Sequence, residues 1–150
     1  MLNLKKLMSS FVKNSFYIFF NRKLIKIKIS GKSMHPNFLE GETYILRKTK
    51  SINLFERFEP IILFCNIHKK LHLKRLLAFS TEKLELRNGK IYINNIYINS
   101  HKLGTLSYDI SIPENCFFTF SDNISTIGNN CDSFIVGPID NEQIIGKIFN

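Results

Sequence analysis

The sequence predicts a mostly β fold: a run of short strands forming one β domain, with one helix ahead of it. Three observations predict this. Apolar residues recur with a period of two from Lys23 onward, turn residues interrupt those runs at short intervals, and only the first 22 residues carry helical spacing. The chain has 150 residues and is 44% hydrophobic, the size of one domain. A domain of this length buries about 70% of its unfolded surface, so a real core is expected and disorder is not. No internal repeat and no interdomain linker divides it.

The N-terminal element comes first. Leu4, Leu7, Met8, Phe11, Ile18 and Phe19 fall on one helical face, and Lys5, Lys6 and Lys13 lie off it. Lys13 and Asn14 interrupt the apolar run, which stays short of the ~18 residues that a membrane-spanning helix needs. Eight basic residues (Lys5, Lys6, Lys13, Arg22, Lys23, Lys26, Lys28 and Lys32) precede any acidic one, while the rest of the chain is nearly balanced. Nearly all of the net charge of +9 therefore falls within the first 32 residues. A basic helix with an aromatic apolar face suits an anionic lipid surface. Residues 1–22 are read as a membrane-associating helix and residues 23–150 as the domain behind it. A helix packed on the domain is the rival reading, and no small-residue cleavage site follows that would mark a removable leader. Membrane lipid is an expected partner and nucleic acid is not.

The strands follow in order. Ile25, Ile27 and Ile29 alternate with Lys26 and Lys28. Further strand-like runs are 43–48, 60–67, 71–78, 83–86, 90–98, 116–120 and 144–149. Asn88-Gly89 is a strong hairpin turn and Asn94-Asn95 a weaker one. Gly104, Pro113, Gly128 and Pro138 mark loops. Cys65, Cys116 and Cys131 are odd in number and far apart, which argues against a disulfide framework and a zinc site while leaving one bridge open. No metal and no cofactor is expected.

Three segments carry chemistry. In the first, Ser30-Gly31-Lys32-Ser33-Met34-His35-Pro36, a strand ends, a glycine permits a sharp turn and a serine follows. A serine at such a turn can present its hydroxyl while neighbouring N–H groups converge where an oxyanion would form. Most serines in turns are only turn residues. In the second, Lys74 sits inside the apolar strand 71–78. Burial disfavours an ammonium, so such a lysine can reach the neutral form and act as a base; an exposed lysine on an edge strand is the plainer reading. Alternation puts His72 on the same face, where it is the rival base. The third segment runs through Phe118-Thr119-Phe120-Ser121-Asp122-Asn123 to Asn130-Cys131-Asp132-Ser133, a polar loop behind a hydrophobic strand.

Together and in this order the segments resemble the signal peptidase I family. Gly31, Ser33, Met34 and Pro36 match its G-x-S-M-x-P motif. Lys74 and Arg75 match its lysine-arginine pair, and Ser121, Asp122, Asn123, Asp132 and Ser133 match in part its G-D-N and S-x-D-S-R motifs. Glu82, Asn88, Gly89, Tyr92 and Asn94 resemble a hairpin that the family carries between them. The resemblance implies a largely antiparallel β domain with an extended substrate groove. It implies a serine endopeptidase with Ser33 as nucleophile and Lys74 as general base, acting without a cofactor on precursors with a cleavable leader. It further implies that the Ser33 N–H helps form the oxyanion hole, that Arg75 pairs with Asp122, and that Asn123, Asn130 and Asp132 support the site. Met34 and Pro36 would border the substrate, which has small residues at the first and third positions before the cut.

Several positions depart from the pattern. Phe134 replaces the arginine that would pair with Asp132, and Ser121 replaces a glycine. Three extra residues precede Asp132, and Asn130 stands where a serine would orient the lysine; its amide or Ser125 is the expected substitute. The small size resembles the compact mitochondrial inner-membrane peptidases. The resemblance implies a catalytic domain on the extracytoplasmic or intermembrane-space side of a membrane. A soluble precursor-maturation protease of the same family and an inactive membrane- or peptide-binding β domain are the alternatives.

Overall fold

Residues 24–98, 103–127 and 131–149 are described by the computed structural model. The expected helix over 1–22 and the supporting residue Asn130 lie outside the described residues. The chain runs β1 (Leu24–Lys28), β2 (Thr43–Lys48), β3 (Pro60–Cys65), β4 (Lys70–Ala78), β5 (Lys83–Arg87), β6 (Lys90–Ile93), β7 (Ile96–Ile98), β8 (Tyr108–Ser111), β9 (Cys116–Phe120), a short helix α1 (Ser133–Val136), β10 (Ile139–Asp140) and β11 (Ile144–Phe149). Among the described residues no helix is long and apolar enough to cross a membrane.

Two antiparallel sheets form. The larger has the order β1-β2-β11-β3-β4-β9-β10 and the smaller β7-β6-β5-β8. Most expected strands appear within a few residues. The run 90–98 divides at Asn94-Asn95, whose φ values of 50° and 66° turn the chain back on itself. At the stronger turn, Asn88 and Gly89 have φ 51° and 72°, the two left-handed residues of a type I′ hairpin. A Cβ on Gly89 would lie 2.0 Å from the Gly104 carbonyl oxygen, so glycine is required there for space as well. Strands β8 and β10 were not foreseen.

The register of the hairpin β3–β4 sorts the core. Ile61 lies opposite Lys74 and Leu63 opposite His72, while Ile62 lies opposite Leu73. Facing pairs share a face and successive residues alternate. Ile61, Leu63 and Leu76 accordingly join Phe55, Phe117, Ile139 and Ile144 in one cluster. Ile62 and Leu73 join Met34, Phe38, Leu46 and Ile148 in another. A third cluster seals the smaller sheet, with Leu84, Leu86, Ile91 and Ile93, onto Leu77, Phe118 and Phe120. Cys65 and Cys131 form a disulfide within the first cluster, and Cys116 is free.

Candidate active site

The Ser33 segment is a loop between β1 and β2. Gly31 has φ +87°, a conformation in which an L side chain is strained, and its N–H is held by Glu40 Oε1 at 3.0 Å. The loop then drops Met34 into the core, where it is 2% exposed. Ser33, one residue earlier, stays half-buried. Its neighbours fasten it to the loop after β9: the Asn123 N–H donates to the Ser33 carbonyl at 2.9 Å and Asn123 Nδ2 to the Lys32 carbonyl at 3.0 Å. Among the described residues the Ser33 N–H has no acceptor and its Oγ makes no hydrogen bond.

Lys74 is fully buried on the face of the first cluster. Its Nζ donates to Ser121 Oγ at 2.7 Å, and Ser121 Oγ lies 3.0 Å from both carboxylate oxygens of Asp132. The direct approach from Nζ to Asp132 Oδ1 is longer, 3.6 Å. Ser121, Asp132 and Ser133 are all fully buried. Burial holds the Lys74 ammonium below its usual range and outweighs the opposing pull of Asp132 and Asp122. Burial likewise raises Asp132 against the stabilising effect of Lys74. The dry surroundings therefore disfavour charge on both groups, and the lysine is biased towards the amine.

Arg75, next along β4, points the other way. It reaches Asp122 through two parallel bonds, Nε to Oδ1 at 2.5 Å and Nη2 to Oδ2, and donates Nη1 to the Phe58 carbonyl at 2.6 Å. Asp122 also accepts from Asn37 Nδ2 at 2.8 Å. Segment 121–123 is thus a hub: Ser121 meets the lysine, Asp122 the arginine and the serine loop, and Asn123 the serine itself. A cavity of about 530 Å³ opens beside it, bordered by Ile29, Ser33, Met34, Ile62, His72 and Leu73 among others. Strands β1 and β4 are separated by three others in the sheet yet both border it, so the sheet curls around it. Pro36 is exposed and Lys74 does not line the cavity.

Comparisons with known proteins bear on the family and the fold. The model of the family "Signal peptidase, peptidase S26" matches residues 8–150. The chain belongs to that family. Signal peptidase I V of Bacillus subtilis is 26% identical over 147 residues, covering 85% of each chain. Signal peptidase I of Bacillus caldolyticus is 26% identical over 139 residues, covering 80% of this chain and 74% of its own. A solved signal peptidase I from Enterococcus faecalis superposes with a TM-score of 0.57 at 21% identity, covering 66% of this chain and 100% of that one, and shows the fold. Membership of the peptidase S26 family supports a serine protease that removes signal peptides from precursor proteins. The family is membrane-associated, with its catalytic domain on the extracytoplasmic side. These relatives are bacterial, so the leaning towards mitochondrial peptidases gains nothing from them.

The departures from the family pattern acquire physical meaning. Phe134 packs its ring 5.0 Å from Phe118 and 5.3 Å from Tyr108, so this position serves the core. Asp132, without an arginine there, meets Lys74 and Ser121 instead. Ser125 donates its hydroxyl to Asn123 Oδ1 at 2.7 Å and not to the lysine. Sequence reasoning noted Ser121 only as a departure from the family's glycine and gave it no role at the lysine. Its signal was present, a hydroxyl where the family has a glycine, one residue past a strand paired with the lysine's own.

His72, the rival base, is lowered to about 4 by burial and by Lys74, His68 and Lys70, in that order. Its Nε2 is buried without a partner among the described residues. Cys65, His68 and Cys131 bring their ligand atoms within 4.8 Å of one another, a grouping hidden in the sequence by the separation of 66 between the cysteines. The two sulfurs are bonded to each other and are not thiolates, the form that binds metal.

Proposed function

We propose that this chain is a Ser–Lys signal peptidase in which Ser33 is the nucleophile and Lys74 the general base. The observation that carries the reading is Lys74 itself: a fully buried lysine in an apolar strand, biased towards its neutral form. The loop that bears Ser33 is tied to the same 121–123 segment that holds it.

The chemistry follows from these groups. The precursor's extended leader lies along the cavity, with its scissile carbonyl carbon at Ser33 Oγ. Neutral Lys74 takes the hydroxyl proton as Oγ attacks, and the free Ser33 N–H stabilises the oxyanion. The resulting ammonium returns its proton to the leaving amine, and the C–N bond breaks. Lys74, neutral again, takes a proton from water as the water oxygen attacks the acyl carbon; the ester C–O bond to Ser33 then breaks, the leader leaves with its new carboxyl end, and the Lys74 ammonium returns the proton to Ser33 Oγ. The hydrogen bond between Ser33 and Lys74 forms when substrate arrives, as catalytic contacts commonly tighten only in the loaded enzyme. Residues 1–22 would hold the catalytic domain, 23–150, to the membrane without supplying catalytic groups.

Ser33→Ala and Lys74→Ala should each abolish cleavage of a precursor, the latter by at least the ~10²–10⁴-fold that a general base supplies. His72→Ala and His35→Ala should leave it largely intact. A folded His72→Ala protein without activity would move the base to histidine. Activity in folded Ser33→Ala would leave a peptide-binding domain whose cleavage comes from elsewhere. A protein starting at Lys23 should still cleave a soluble peptide but bind anionic vesicles less, with the difference shrinking as salt rises. Equal vesicle binding by the two lengths would reject the membrane role of the arm.

A further inference from the structure

Ser121 is the last buried residue before the polar loop, and the register of β4 and β9 fixes what it faces. Leu76 lies opposite Thr119 and Arg75 opposite Phe120, so the next position along β9's path stands across from Lys74. A glycine there offers no atom to the amine. A serine puts its Oγ 2.7 Å from Nζ.

The arrangement of protons is constrained. A hydroxyl has one proton and two lone pairs. Ser121 directs its proton to Asp132, at 3.0 Å from either oxygen, which leaves its lone pairs for an N–H of Lys74. The 3.6 Å between Nζ and Asp132 Oδ1 is too long for a hydrogen bond, so the serine is the bridge between the two. Other hydroxyls nearby are engaged elsewhere: Ser125 Oγ with Asn123 and Ser133 Oγ with the Thr119 N–H. We propose that Ser121 is a positioning residue for the base, its Oγ holding Lys74 Nζ on one side and the Asp132 carboxylate on the other. This rests on the assignment of Lys74 as base.

A lysine side chain has four rotatable bonds, and a base must aim its lone pair at one proton. With one N–H committed to Ser121, rotation about the Cε–Nζ bond is fixed, and the lone pair of the neutral amine takes one direction. Without the hydroxyl the chain is free to swing and to approach Asp132 directly. The ground-state cavity beside Ser33 is unchanged by that loss, so substrate should bind as before while the chemical step slows.

The test is steady-state kinetics of the full-length protein on a fluorogenic peptide with alanine at the first and third positions before the cut. Ser121→Ala should lower kcat about a hundredfold, the cost of a misaimed catalytic group, with KM within about twofold of the parent. The isosteric pair Ser121→Thr and Ser121→Val separates hydroxyl from shape: threonine should retain most of kcat and valine should match alanine. Combining Ser121→Ala with Asp132→Asn should cost less than the product of the single losses, because the carboxylate acts through the bridge. Unaltered kcat in folded Ser121→Ala, a loss carried equally by KM, equal activity of the threonine and valine proteins, or fully multiplicative losses would each overturn the proposal. Ser33→Ala and Lys74→Ala belong in the same assay. Activity in folded Lys74→Ala would sink the dyad itself, whereas a dead Lys74→Ala beside a fully active Ser121→Ala would sink this inference alone.

Discussion

The two halves of the site are built by opposite means. Lys74 stands in the middle of a paired strand, wholly out of water, and its partners Ser121 and Asp132 are equally buried. Ser33 stands on a loop, half in water, held by backbone carbonyls and by Asn123. A base that must lose its proton near neutral pH needs a dry setting, because desolvation is what disfavours the ammonium. A nucleophile must meet a chain arriving from outside, so it needs an open one. The contrast teaches that the difficult part of this site is the join between a rigid, dry half and an accessible half, and that segment 121–123 is the join.

Breaking the join at its ion pair should have the largest effect on stability. Asp122 has a side chain only 3% exposed and pairs with Arg75, whose side chain is 12% exposed. Asp122→Ala leaves that guanidinium without its carboxylate and also frees Asn37. Removing one partner of a well-buried pair costs roughly 3–5 kcal/mol, and the lower end applies because the arginine keeps the Phe58 carbonyl. Urea unfolding should show it, and cleavage should fall with it. A loss below ~1 kcal/mol would mean that the pair behaves like a surface one.

A smaller change sharpens the same comparison. Asn37→Ala removes one exposed bond from the serine loop to Asp122. It should cost no more than ~1 kcal/mol in stability and lower kcat/KM by several-fold at most, since Asn123 still holds the loop by two bonds. If Asn37→Ala lowered stability as much as Asp122→Ala, the two halves would be one cooperative unit and the contrast drawn above would fail.

The rigid half was the more legible in the sequence. Strands β2, β9 and β11 were found at their observed limits because apolar residues alternate or run together there, which is what a strand packed on one or both faces requires. Strand β8 alternates as Tyr108-Asp109-Ile110-Ser111, but it is only four residues long and none of them is buried, so the period is barely stated. Strand β10 is two residues long, too short for any period. Lys74 drew notice by its place in an apolar run, and it and Arg75 were singled out by their resemblance to the family's lysine-arginine pair. What could not be read were contacts fixed by the register between distant strands: Ser121 against Lys74, and Cys65 against Cys131. Phe134 was misleading as a missing arginine, since its ring turned out to be a core side chain.

The Cys65–Cys131 bond has a consequence in the unfolded chain. It joins residues 66 apart, so the polypeptide between them is a covalent ring even when no strand is paired. A loop of that length removes roughly 4 kcal/mol of chain entropy from the unfolded ensemble in the loop-closure account. The ring contains Lys74, Arg75, Ser121 and Asp122, and its closing cysteine adjoins Asp132. The stretch that carries Ser33 lies outside it. A chain that has lost its tertiary structure therefore keeps Lys74, Arg75, Ser121 and Asp122 within one covalent ring, while the segment bearing Ser33 must be recaptured from the free N-terminal side.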